Sequence, residues 1–227
     1  MFCPVSSNQC QVITNLFQPC LIVFEAHQVL LPTKYRLTLG PSIRVEDMRA
    51  SLGKLRLLYH PGERWVYSVA TDVLGRLVEK ASGKSFGDFL QERLFKPLNM
   101  KDTGFHVPAD KVDRFAENHT IGLLVIDHPK KSRYLKPPKM ESGGGGLVST
   151  TRDYLRFLQM IANGGTFEGK RYLKQETVNL MTTNQLSESI PFIGVGDERP
   201  GLGFGLGFSV RIGDSEWDSG SRLGEYD

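Results

Sequence analysis

The sequence predicts an α+β fold that is mostly helical, and three observations carry that prediction. Apolar residues recur at helical spacing in several separate stretches between residues 42 and 181. Strict alternation of apolar with small residues occurs once, near 203–212. Proline and glycine break residues 101–150 into loop. At 227 residues, 40% hydrophobic and 23% charged, the chain can bury a sizeable core. Four or five helices then accompany one clear strand. A lone strand cannot satisfy its own backbone hydrogen bonds, so its partners lie in the weakly read N-terminal segment or outside this chain.

Residues 1–35 read as an irregular N-terminal segment. Cys3, Cys10 and Cys20 all fall there, and three cysteines cannot all pair within one chain. Cys10, Cys20 and His27 lack the close paired spacing of a zinc module, so neither a metal nor another cofactor is expected. No Lys or Arg precedes Lys34, and Glu25, His27 and Gln28 interrupt the apolar runs. Neither a signal peptide nor a membrane span is therefore expected, which leaves the cytoplasm as the default compartment. A net charge of +3 excludes a strongly basic nucleic-acid binder at the level of composition.

Residues 36–227 read as one domain, with a helical part over 42–190 and a sheet strand near 203–212. Ser42 can cap a helix carrying Val45, Met48, Leu52 and Leu55. The turn at 59–63 follows, where Pro61-Gly62 breaks both periods. Val69, Val73, Leu74, Leu77, Val78 and Ala81 then form the best apolar stripe, closed by Gly83. Ser85, with Asp88 three residues on, caps the next helix, which Pro97 ends. Lys130, Lys131, Arg133, Lys136 and Lys139 cluster without an acid between them and read as a solvated loop. Gly143 to Gly146 permit backbone conformations barred to other residues, or close approach of another segment or a ligand.

Thr150 or Thr151 caps a further helix, with Tyr154, Leu155, Leu158 and Ile161 on its expected buried side and Asn163-Gly164-Gly165 as its stop. A small hairpin turns at Glu168-Gly169, and a short helix covers 176–181. A polar connection leads to the alternating stretch Phe204, Leu206, Phe208, Val210, Ile212. Residues 215–227 read as polar and acidic, without a terminating element.

Three patterns bear on catalysis. Gly83-Lys84-Ser85-Phe86-Gly87 fits G-x-S-x-G, but that nucleophile elbow needs a preceding strand and here a helix precedes it. Ser85 is better used as a cap. Ser51-Leu52-Gly53-Lys54 fits S-x-x-K, a spacing that puts both side chains on one helical face so that a neutral lysine can take the hydroxyl proton. A lysine lowers its pKa only when desolvated, and Arg49 and Arg56 beside it mark an exposed surface. Tyr67, between the Pro-Gly turn and the strong helix, can aim its phenol into a cleft as a proton-transfer group; an aromatic packing residue with a wet hydroxyl is the alternative. His60, His106, His119 and His128 show no metal spacing.

The run His60-Pro61-Gly62-Glu63-Arg64-Trp65-Val66-Tyr67-Ser68 resembles the loop that carries the catalytic tyrosine in serine β-lactamase-related hydrolases. That family includes class C β-lactamases, DD-peptidases and β-lactamase-like carboxylesterases. The resemblance continues through Asp72-Val73-Leu74-Gly75, Phe95-Lys96-Pro97-Leu98-Asn99-Met100, Asp102-Thr103-Gly104-Phe105, Gly143 to Thr150, Asp153-Tyr154, Asn163-Gly164-Gly165 and Gly203 to Gly207. It implies a β-lactamase/transpeptidase-like fold, here mostly the helical domain with one strand of an incomplete antiparallel sheet. It also implies a mechanism: a serine of S-x-x-K attacks an ester or amide carbonyl, a lysine and a tyrosine shuttle protons, and backbone N–H groups stabilise the oxyanion.

On that resemblance Tyr67 is the proton relay, and Ser68, Gly144 and Gly145 are substrate-binding positions. Val69 stands where tyrosine-x-asparagine members carry the amide, which leans towards the esterases. The family's S-x-x-K lies well upstream of the tyrosine loop, so Ser51 and Lys54 are read as a coincidental match. The expectation is a chain lacking its nucleophile and inactive alone, from a parent that cleaves small-molecule carboxylic esters or β-lactams. The alternative is a non-catalytic binding or regulatory module that reuses the helical domain. Self-association through exposed core surface, with aggregation or a molten state of the isolated chain, is expected on either reading.

Overall fold

The computed structural model describes residues 59–60, 62–119, 124–195, 197–217 and 220–227. The Ser42 helix, the cysteines, Ser51 and Lys54 lie outside them. The described residues divide into two compact units, one built from 59–70 and 156–227, the other from 71–155. The expected mixture of helices and antiparallel strands is present.

The 71–155 unit is helix and loop. Helix α1, Ala70–Ser82, forms where the stripe predicts, but the stripe residues Val73, Leu74, Leu77 and Val78 are only half-buried and Ala81 is exposed. Gly83, at φ 70°, ends it by donating to Glu79 O at 2.8 Å. Ser85 caps α2, Phe86–Leu90, its Oγ accepting from Asp88 N at 3.1 Å. The chain continues in a π-helical turn, Gln91–Phe95, and closes in a Schellman motif. Met100 N donates to Phe95 O, Asn99 N donates to Lys96 O, and Asn99 sits at φ 56°. Phe95, Leu98, Met100, Phe105, Val107 and Met140 are buried. The predicted loop carries short 3₁₀ turns and one small ladder, β1 (Asn118–His119) with β2 (Val125–Asp127). All five cations of 130–139 are exposed.

Helix α3, Thr151–Ala162, is capped by Thr150, whose Oγ1 accepts from Asp153 N at 3.2 Å. Its stop is a second Schellman motif: Gly165 N donates to Met160 O, Gly164 N donates to Ile161 O, and Gly164 has φ 61°. The expected buried side is corrected. Ile161 is buried as expected, but Tyr154 and Leu155 are 52% and 50% exposed and Leu158 is also exposed, while Asp153 and Met160 are buried instead. Asp153 explains the rotation. Its Oδ2 accepts from Asp102 N at 2.7 Å and Thr103 Oγ1 at 3.0 Å, which draws the carboxylate inward and turns its neighbours out.

In the other unit, β3 (Thr166–Phe167) and β4 (Lys170–Arg171) form the expected hairpin. Both turn residues, Glu168 and Gly169, have positive φ, as a primed two-residue turn requires. Helix α4 is Gln175–Thr182. The connection read as irregular contains another antiparallel pair, β5 (Ile193–Val195) and β6 (Asp197–Arg199). The single strand expected near 203–212 is instead a hairpin of β7 (Leu202–Phe204) with β8 (Ser209–Arg211). Gly207, at φ 100°, supplies the backbone freedom that turns the chain. The chain just past β7 is closely packed: a Cβ on Gly205 would stand 2.0 Å from Met181 O. The C-terminal stretch is also paired. Ser209 and Asp227 exchange both backbone hydrogen bonds, at 3.0 and 3.1 Å, and Arg211 N donates to Glu225 O at 2.8 Å.

Among the described residues no helix is long and apolar enough to cross a membrane, and no group of three His, Cys, Asp or Glu is placed to hold a metal ion.

Candidate active site

The tyrosine loop opens with a turn in which Glu63 N donates to His60 O at 3.1 Å, and the Glu63 carboxylate accepts from His60 N at 3.0 Å. Gly62 has φ 87°, which a Cβ would make costly. Further along, Trp65 is only 8% exposed and packs in a cluster with Ile190, Ile193 and Leu202, flanked by Leu186 and Phe204. Its ring lies 4.9 Å from that of Phe204. The indole N–H is buried without a hydrogen-bond acceptor among the described residues.

Tyr67, two residues on, is by contrast open to solvent. Tyr67 N donates to Gly194 O at 3.4 Å, its ring centroid is 6.5 Å from that of Trp65, and the side chain is 66% exposed. Ser68 Oγ accepts from Ala70 N at 3.2 Å and so serves the start of α1. An anchored indole, a strand contact and the Ser68 hydrogen bond at the start of α1 thus hold a phenol in solvent.

The glycine loop is built differently. Asp72, in the first turn of α1, accepts at Oδ1 from Ser142 Oγ in a short hydrogen bond, and from Gly144 N at 3.4 Å. Ser142 Oγ also accepts from Gly144 N at 3.2 Å. Gly143 lies against α1 so closely that a Cβ would stand 2.0 Å from Thr71 O. A Cβ on Gly144 would reach Thr71 Oγ1 at 2.6 Å, whereas above Gly145 there is open space. Close approach, one of the two uses expected of these glycines, is therefore realised at Gly143 and Gly144. An open cleft of about 180 Å³ borders Gly144 to Gly146. A second, of about 360 Å³, borders Asp102 to Pro108.

Of the expected site residues, Tyr67 and Ser68 belong to one unit and Gly144 and Gly145 to the other, while Ser51 and Lys54 lie outside the described residues. Ser85, the other serine in a nucleophile-like pattern, is a helix cap. His60, His106, His119 and His128 are exposed; His119 and His128 both face Glu117. Sequence reasoning missed the clamp made by Asp72 and Ser142, because its partners are 70 residues apart. It also missed the role of Asp153, although Thr150-x-x-Asp153 has capping-box spacing and is a usable signal.

Asp102 anchors the loop after the Schellman motif. Lys111 Nζ reaches Oδ1 at 2.8 Å and Arg114 Nη2 reaches Oδ2 at 2.6 Å. The Lys111 ammonium first, then the Arg114 guanidinium, hold its carboxyl below the usual carboxylate range. Burial pushes the Tyr172 phenol up, and the Glu168 carboxylate adds to that.

The chain matches a known class of protein. The beta-lactamase family model matches residues 25–217. Protein Rv1367c of Mycobacterium tuberculosis is 37% identical over 171 residues, which cover 71% of this chain and 41% of that protein. Esterase EstB of Burkholderia gladioli is 29% identical over 204 residues, covering 80% of this chain and 48% of the esterase. Among solved structures, EstCE1, a hydrolase with promiscuous acyltransferase activity, superposes with a TM-score of 0.64 at 24% identity, covering 85% of this chain and 55% of its own. The chain belongs to the serine β-lactamase-related family, with esterases among its relatives. It spans less than half the length of these two curated relatives.

Proposed function

We propose that this chain contributes the proton-relay tyrosine and a substrate-contacting loop to a serine hydrolase that cleaves carboxylic esters through an acyl-serine intermediate. Tyr67 is the relay: its phenolic oxygen takes up the proton of the attacking serine as its own O–H passes a proton to the leaving alkoxide. Ser68, Gly144 and Gly145 contact the substrate. Ser51 is not the nucleophile, so the serine that Tyr67 serves is supplied from outside residues 1–227. The observation that carries this reading is Tyr67 itself, a phenol kept 66% exposed on a loop whose neighbour Trp65 is buried. Val69 in place of an amide side chain, and the resemblance to an esterase, favour esters over β-lactams.

The test joins this chain to the upstream half of esterase EstB and follows p-nitrophenyl butyrate hydrolysis. Turnover is expected in the fusion and not in the chain alone, and Ser51→Ala leaves the fusion's rate unchanged. Turnover by the isolated chain that disappears with Ser51→Ala contradicts the assignment.

A further inference from the structure

The cationic loop and the glycine loop meet at the cleft of about 180 Å³, within the 71–155 unit. Arg133 and Lys136 line it together with Tyr134, Asp72 and Gly144 to Gly146. None of Lys130, Lys131, Arg133, Lys136 and Lys139 is in an ion pair among the described residues. Arg133 is nonetheless held in place. Its Nη2 donates to Tyr134 Oη at 2.8 Å, and its guanidinium lies 4.9 Å from the Tyr134 ring centroid. Tyr134 is in turn packed edge-on against Phe115, with centroids 6.2 Å apart. A guanidinium fixed through one nitrogen keeps its other N–H groups for two coplanar oxygens. At the glycine end, the N–H groups of Gly145 and Gly146 make no hydrogen bond among the described residues. Phe105, Pro138 and Met140 add apolar wall.

We propose that this cleft is a carboxylate-binding subsite for a small organic acid. Arg133 pairs with the carboxylate, Lys136 adds a second positive charge, and the alkyl part lies over Gly145. Asp72 is the one carboxylate of the lining, and its Oδ1 is already engaged by Ser142 and Gly144. Its charge repels a ligand carboxylate from the glycine end and so directs it to Arg133. On the ester-hydrolase reading above, on which this step rests, the substrate is an ester that also carries a free carboxylate.

Calorimetric titration of the EstB fusion with glutarate tests the subsite directly. Saturable binding is expected, with none for pentan-1-ol. Arg133→Lys keeps the charge, loses the fork and weakens binding about tenfold. Gly145→Val fills the cleft and abolishes binding with an unchanged melting temperature. Lys139→Gln, in the same cationic run but outside the cleft lining, changes affinity less than about twofold, because exposed charges act weakly at a distance. No saturable binding overturns the proposal. An equal loss from Lys139→Gln does so too, since it signals diffuse surface charge, as does tighter binding of inorganic phosphate than of glutarate. The two readings fail separately. Glutarate binding without ester turnover in the EstB fusion removes the hydrolase reading alone, and turnover without glutarate binding removes the subsite alone.

Discussion

The two loops that bear the candidate site residues are held by opposite means. The tyrosine loop hangs on one large apolar anchor, Trp65, seated among Ile190, Ile193 and Leu202. The glycine loop is held by a carboxylate, a hydroxyl and the absence of side chains, through Asp72, Ser142 and Gly143. The first arrangement leaves a functional group projecting into solvent, and the second leaves bare backbone beside a cleft. An apolar anchor resists truncation poorly and tolerates change at the projecting tip. A close-packed glycine tolerates no added atom.

That contrast orders the expected effects. Trp65→Ala empties the tyrosine loop's anchor and costs about 3–5 kcal/mol in denaturant unfolding, the range for a buried tryptophan. A loss under about 1 kcal/mol means that the loop has another support. Gly143→Ala forces a methyl group onto Thr71 O and costs about 1–3 kcal/mol. Asp72→Asn keeps the shape of the clamp and removes its charge, for about 1 kcal/mol, because the charge-assisted part of the hydrogen bonds is lost.

The next effect is read in pH. Asp102 has a depressed carboxyl pKa in the folded chain, so its contribution is fully present above the unfolded value of about 4 and is lost as pH falls through the lower folded value. Acid unfolding below about pH 4 becomes shallower in Asp102→Asn; an unchanged slope means that Lys111 and Arg114 do not hold that carboxylate in solution. Tyr67→Phe is the smallest change in stability, within about 0.5 kcal/mol, because the side chain it alters is exposed.

The same contrast explains what the sequence makes legible. Local signals hold: Gly83 and Asn163-Gly164-Gly165 as helix stops, Ser85 as a cap, and Glu168-Gly169 as a turn are each decided within a few residues by φ or by one hydrogen bond. Tyr67 is legible as a projecting phenol because its loop has a distinctive run of residue types. What stays hidden depends on partners far along the chain. Trp65 meets residues 190–202, Asp72 meets Ser142, and the 224–227 stretch pairs with β8. The alternation at 203–212 misleads because a strand and a hairpin share a period of two, and only the positive φ of Gly207 separates them. Helix α3 misleads because one buried carboxylate outweighs an apolar stripe.

The most direct measurement is the kcat of the EstB fusion on p-nitrophenyl butyrate, compared between the parent fusion and its Tyr67→Phe variant. The account predicts a fall of about 10²–10⁴-fold at an unchanged melting temperature, the range for loss of a general acid–base group. A variant rate within about threefold of the parent, a barrier change below about 1 kcal/mol, contradicts it.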